Sequence, residues 1–379
     1  MNDWKKVRLG DYISEYSVKN RNSEDISVYS VTNTKGFCTE YFSKDVSSKD
    51  KTNYKIVPRG YFAYNPSRIN VGSVDWQRYE DRVIVSPLYN VFAVSEELEQ
   101  QYLYYFLKSD IGHSLIVSKA EGSVRDNLKI AMLSEFPIPL PPLETQKQIA
   151  TTLDKVTKII AESKQLLKKY DLLIKSRFIE MFGDNPIENW NVEKLRNTGN
   201  FKNGMNFSYE DNGFEINCLG VGDFKDNSVI SETSVLPIIF LNEKPTDEYL
   251  LQKEDIVFVR SNGNKDLVGR CVLVYPDTLS TFSGFCIRYR KTSEKLNSIY
   301  LLQYLKMPNT RKRMSGRGAN IQNLNQQILS NLEIPIPPPA LQQQFAAFVQ
   351  QIDKSKSVIK QSLQKSETLY KSLMQRYFA

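Results

Sequence analysis

The chain has 379 residues, 41% hydrophobic and 25% charged, which is ordinary globular composition and enough length for two or three domains with cores of their own. Its apolar runs fall short of the ~20 residues of a membrane helix, and its start, Met1 to Lys6, carries no apolar stretch after the charges, so neither a membrane span nor a secretory signal is expected. Four cysteines scattered without a CxxC pair suit a reducing cytoplasm and exclude a disulfide framework, while a formal charge of +7 leans mildly towards a polyanionic partner.

Val7, Leu9, Tyr12 and Ile13 open the chain with a short amphipathic segment. Ile56–Tyr64 predicts a turn and then a strand, and Arg82–Ser86 and Tyr89–Val94 predict strands, because β-branched and aromatic residues dominate them. Leu98–Lys108 predicts a helix with Tyr102, Tyr105 and Phe106 on one face. Pro137 to Pro142 alternates proline with Ile or Leu, so it is extended and serves as a connector packed on its domain. From Glu144 to Phe182 the apolar residues step by four and three: Ile149, Leu153, Val156, Ile160, Leu167, Tyr170 and Ile174, with Ser163 in the series. That is a heptad seam on a helix of about 37 residues, or ~55 Å. Gly183 is its C-terminal cap candidate and Pro186 blocks continuation.

Strands follow at Asp255–Arg260, Cys271–Tyr275 and Phe285–Tyr289, then a helix at Ile299–Met307. A second seam closes the chain: Val349, Ile352, Ile359, Leu363, Tyr370, Leu373 and Tyr377, with Lys356 and Ser366 as polar members. A long amphipathic helix draws its stability mainly from packing, so the two seams are expected to pair as an antiparallel coiled coil.

The second half repeats the first. Pro139, Pro141, Pro142, Gln146, Gln148 and Ala150 match Pro335, Pro337, Pro338, Gln342, Gln344 and Ala346, an offset of 196 positions. Gly122, Asn127 and Leu128 match Gly318, Asn323 and Leu324 at the same offset; Gly72 and Ser86 meet Gly269 and Ser283 at 197. The period is far longer than a solenoid unit of roughly 20–50 residues. It marks a duplicated domain plus helix whose frame is shared and whose contents vary. The expected fold class is α+β: mixed domains at 1–143 and 187–339, followed by long helices at 144–186 and 340–379.

Catalytic signatures are missing. There is no phosphate-loop, GxGxxG or HExxH motif, and His113 is the one histidine. Asn65-Pro66-Ser67 and Asn185-Pro186-Ile187 break the Asn-Pro-Pro-aromatic signature of amino-methyltransferases. The chain is expected not to be an enzyme by itself.

Ile138–Gln146 and Ile334–Pro338, preceded by Glu121–Leu128 and Gly316–Leu324, and the helix end Phe178–Asp184, resemble the specificity subunits of type I restriction–modification systems. The resemblance covers essentially the whole chain. The chain departs from the family at Glu144-Thr145-Gln146, where the family often has Glu directly before Gln, and at Ala340-Leu341-Gln342, which lacks the Glu. The resemblance implies two target-recognition domains, each reading half of a split DNA site. It implies helices that space them and dock two adenine-methyltransferase subunits, and a motor–nuclease subunit in the full complex. S-adenosylmethionine, ATP and Mg²⁺ would then belong to those partners in a bacterial or archaeal cytoplasm. The competing expectation is a duplicated scaffold that binds only proteins.

For DNA contact the expected residues are polar and basic ones in segments read as loops: Asn65, Ser67, Arg68, Asn70, Lys119, Arg125 and Lys129, then Arg260, Asn262, Asn264, Lys265, Arg270, Arg311, Lys312, Arg313 and Arg317. Arg bonds guanine bidentately, Asn bonds adenine, and Lys more often meets phosphate. Asn127 and Asn323 occur in both copies, which favours a structural role.

Overall fold

The computed structural model describes residues 4–39, 50–120, 127–208, 210–225, 227–314 and 323–379, and the backbone alone at 120 and 265. It has two compact mixed α+β units. One comprises Met1–Gln165 with Lys360–Ala379, the other Leu166–Ile359. Each unit holds a stretch of both long helices, which run Leu143–Phe182 and Pro339–Phe378.

The first unit centres on a four-stranded sheet in the order Ile13–Glu15, Asn90–Val94, Phe62–Tyr64, Val74–Trp76. The second carries the same order with one strand added: Gly199–Asn203, Cys286–Lys291, Asp255–Val259, Cys271–Val274, Val229–Ile230. The helices Gln100–Lys108 and Ser298–Lys306 bury their Tyr-rich faces: Tyr102, Tyr105 and Phe106 in one, Tyr300 and Tyr304 in the other. The second unit's sheet also buries an ion pair, in which Arg290 grips the fully buried Asp255 through Nε and Nη2, each at 2.8 Å. Removing one partner of such a pair leaves an uncompensated charge, so it fixes the strands that carry it.

The proline stretches pair back to the start of each repeat. Pro137–Pro139 lies antiparallel to Lys6–Arg8, and Glu333–Pro335 to Val192–Lys194. The ladder beside the first uses Phe136 and Leu140: the Leu9 N–H donates to the Phe136 carbonyl at 2.9 Å and the Leu140 N–H to the Lys5 carbonyl at 3.1 Å. The prolines sit at the alternate positions, where an N–H would point away from the partner strand, so a residue without a donor costs nothing.

The repeated glutamines lock this joint. Buried Gln146 accepts from the Glu99 N–H (2.9 Å) and donates to the carbonyls of Glu97 (3.0 Å) and Pro141 (2.9 Å). Gln342 does the same with the Asn297 N–H (2.8 Å) and the Lys295 (3.0 Å) and Pro337 (2.7 Å) carbonyls. In both copies the amide satisfies backbone groups that burial would otherwise strand.

The heptad positions are the covered face of both helices: Ile149, Leu153, Val156, Ile174, Val349 and Ile352 are buried, and Ile160, Leu167, Tyr170, Ile359, Leu363, Tyr370, Leu373 and Tyr377 half-buried. At the helix ends the deepest side chains are others. Phe178 and Phe182 pack with Tyr300 and Phe345 in the second unit's core, and Met374 and Phe378 with Tyr102 and Phe106 in the first. Within the second unit Asp171 pairs with Lys356 at 2.6 Å and Phe178 meets Phe345 at 5.4 Å, so those two stretches run in opposite directions. Within the first unit Lys164 pairs with Glu367 at 2.7 Å. Gly183 takes φ +92° beyond the first helix and its N–H donates to the Ile179 carbonyl, as a C-terminal cap requires.

Candidate nucleic-acid interface

In the second unit the strand Asp255–Val259 ends in a polar loop. The Arg260 N–H donates to the Phe285 carbonyl at 2.7 Å, and the Leu324 N–H donates to the Arg260 carbonyl at 2.7 Å. Ser261 bridges Asn323 in antiparallel register. Asn262 and Asn264 then build successive side-chain turns, accepting from the N–H groups of Asn264 (2.8 Å) and Asp266 (3.0 Å). Lys265 opens the short helical turn Lys265–Leu267, and Gly269 reverses the chain at φ +77°. A cleft of about 550 Å³ lies against the loop, lined by Val221, Ser261, Asn262, Gly263, Phe285 and Asn323.

The first unit repeats the plan. After Phe62–Tyr64, the Asn65 carboxamide accepts from the Ser67 N–H (3.2 Å) and hydroxyl (3.0 Å). The turn Ile69–Val71 carries Asn70, and Gly72 reverses the chain at φ +89°. Leu128 ties in as Leu324 does, its N–H donating to the Pro66 carbonyl at 3.2 Å. Burial lowers the pKa of Lys108, against the opposing pull of Asp75, and its ammonium donates to the Gly72 carbonyl.

Asn65, Ser67, Arg68 and Asn70 thus share one loop, with exposed Lys129 beside it at the start of the helix Ile130–Leu133. Arg260, Asn262, Asn264, Lys265 and Arg270 share the other. Two groups differ from the loop expectation. Lys119 lies on the helix Asp110–Ala120 and is paired with Glu135 at 2.7 Å. Arg311, Lys312 and Arg313 lie on the helix Pro308–Met314, which proline starts at a position that needs no N–H donor. Arg270 and Arg311 shape the loop: Arg270 donates to the Asp266 (3.3 Å) and Lys225 (3.2 Å) carbonyls, and Arg311 to Asp266 (3.3 Å) and Val268 (3.0 Å). Arg313 turns onto Tyr304, its guanidinium 5.8 Å from the ring centre, while Lys312 stays exposed. Arg125 and Arg317 lie outside the described residues, as do 121–126 and 315–322 of the repeated motifs.

Leu88 and Phe285, absent from the expected DNA contacts, stand 77% and 62% exposed, and Phe285, expected as the first residue of a strand, lies in the turn before the strand Cys286–Lys291. The visible signal was Ser86 matching Ser283 two residues earlier. A larger cleft of about 870 Å³ in the second unit runs along the helices, lined by Lys168, Lys175, Lys306, Lys354 and Lys356 together with Asp171, Asp353 and apolar residues. Among the described residues no cluster of His, Cys, Asp and Glu could hold a metal ion, and no helix is long and apolar enough to cross a membrane.

The chain is thus of the class of tandem duplicated α+β proteins, with a long helix after each copy and polar loops that differ between the copies at equivalent places. The family model described as the type I restriction modification DNA specificity domain matches residues 1–169 and 187–368. This chain belongs to that family. It is 26% identical to the StySPI specificity subunit of Salmonella potsdam, over 74% of this chain and 64% of that protein, so it spans just under two thirds of that relative. It is 24% identical to the MjaVIII specificity subunit of Methanocaldococcus jannaschii, over 98% of this chain and 91% of that one. The fold is similar to that of a type I restriction-modification S subunit from M. genitalium, with a TM-score of 0.59 and 16% identity across 100% of this chain and 97% of that one.

Proposed function

We propose that this chain is the DNA-reading subunit of a type I restriction–modification complex. Each unit reads one half of a bipartite site. The observation that carries this is the pair of loops: one backbone plan, at equivalent strand ends, bearing Asn65, Ser67, Arg68 and Asn70 in one unit and Arg260, Asn262 and Asn264 in the other. One frame with two sets of side chains is what reading two different half-sites asks for.

The long helices pair as an antiparallel coiled coil that sets the gap between half-sites. The opposed contacts inside the second unit support this. The helices also dock two adenine-methyltransferase subunits; Leu172 and Val358, 62% and 67% exposed, and the lysine-lined cleft offer surface for that. A motor–nuclease subunit completes the assembly in the cytoplasm. S-adenosylmethionine, ATP and Mg²⁺ belong to the partners, and this chain contributes no catalytic group.

The test is adenine methylation across the genome of a host with and without this gene, its methyltransferase partner present. A two-part motif with a fixed gap that disappears with the gene is expected. Unchanged methylation, with the partner expressed and bound, would sink the reading in favour of the protein scaffold. Lys312 is exposed and is read as a phosphate contact, so Lys312→Ala should weaken binding about equally for all sequences and reduce the slope of log affinity against log salt by about 1. Titrating the purified complex against matched and scrambled duplexes at several salt concentrations checks it.

A further inference from the structure

Leu88 and Phe285 occupy the same place in the two units. Each is the third residue of a tight turn that feeds a central strand. The Tyr89 N–H donates to the Ser86 carbonyl at 3.0 Å, and the Cys286 N–H to the Ser283 carbonyl at 2.8 Å. A single exposed apolar residue is common and needs no explanation. Here two are exposed, at one turn position, in both copies of a duplicated domain, with the side chain changed from Leu to Phe.

Neither is a core residue. Among the described residues neither joins a buried apolar cluster or its fringe. Phe285 stands against the polar loop of its unit. The Phe285 carbonyl receives the Arg260 N–H, and its side chain lines the 550 Å³ cleft with Asn262 and Asn323. Leu88 stands two residues before Asn90, which pairs with Tyr64 directly ahead of Asn65.

We propose that Leu88 and Phe285 are specificity-determining contacts, each packing on the 5-methyl group of a thymine in the major groove of its half-site. The proposal rests on the DNA-reading function above. Among base edges the major groove offers one apolar group, the thymine methyl, and apolar side chains are what meet it. Carboxamides alongside, able to bond an adenine edge, fit a surface reading A·T pairs. An apolar wedge between bases works mainly from the minor groove and unstacks a step. The amide-lined cleft beside Phe285 suits reading edges instead.

The experiment uses the complex with its methyltransferase partner and duplexes carrying the half-sites found from methylation. Uracil replaces each thymine in turn, which removes only the methyl group. For the wild-type chain one thymine in each half-site should be sensitive, its replacement weakening binding about fourfold, the worth of one buried methyl group. Phe285→Ala should abolish that sensitivity in one half-site and Leu88→Ala in the other. Indifference of the wild-type chain to uracil everywhere overturns the proposal without need of any variant. So does a half-site that contains no A·T pair, or a variant that weakens all sequences equally while uracil has no effect, which is the outcome for a wedge. Binding with no sequence preference at all defeats the DNA-reading function itself, a different result from indifference to uracil at a recognised site.

Discussion

Replacing Phe178 with alanine is expected to destabilise the second unit by about 4 kcal/mol, within the range of ~3–5 for removing a buried Phe from a core. Phe178 is fully buried, and its ring lies 5.0 Å from Phe182, 5.6 Å from Tyr300 and 5.4 Å from Phe345. These partners come from the first long helix, the domain's own helix and the second long helix. Deleting the ring therefore opens a cavity where three elements meet, among the rings of Phe182, Tyr300 and Phe345. Domains hold ~5–15 kcal/mol in all, so the loss is a large fraction of the total. Leu172→Ala on the same helix removes a residue 62% exposed and should stay within ~0.5 kcal/mol. Denaturant melts of the two variants, followed by amide exchange to see which unit opens, provide the measurement. A Phe178→Ala loss below about 1 kcal/mol would mean that this end of the helix does not complete the core.

Phe178 also shows what the sequence concealed. The heptad count made Ile149 through Ile174 legible because their spacing persists over several turns. At the helix end that spacing gives way, since Phe178 and Phe182 face the domain core rather than a helix seam, and their period is that of a plain helix. Strands such as Arg82–Val85 and Asp255–Val259 were readable because β-branched residues crowd them. Gln146 and Gln342 were visible as repeats, but nothing local says that a helix glutamine will bond three backbone groups from other elements. The two polar loops were legible as segments read as loops that carry polar and basic residues. Which of their basic groups face outwards was not legible, because Arg270 and Arg311 spend their donors on carbonyls brought close only by the fold. The exposure of Leu88 and Phe285 escaped for the opposite reason: an apolar residue in a sequence reads as core, and Phe285 read as the start of a strand that in fact begins at Cys286.

Adding seven residues to each long helix, beside the Lys164–Glu367 ion pair, should lengthen the gap between half-sites and leave the bases of both unchanged. A heptad keeps the seam on one face, so the covered residues on either side of the insertion keep their partners. It lengthens a helix by about 10.5 Å at 1.5 Å per residue. At ~3.4 Å per base pair that is a gap longer by about three. The phase of the duplex turns with it, since half-sites read from one face lie about one helical turn apart. Methylation at the original gap should therefore fall steeply, rather than fade, as the longer gap appears. The readout is the methylated motif in cells carrying the lengthened chain and its methyltransferase partner. An unchanged gap would show that the helices do not set it, even if each unit reads DNA. Altered half-site bases with the gap intact would place base recognition on the helices instead of the loops. A longer gap flanked by the original bases requires reading and spacing to reside in separate parts of the chain, which is what a duplicated domain joined to a duplicated helix allows.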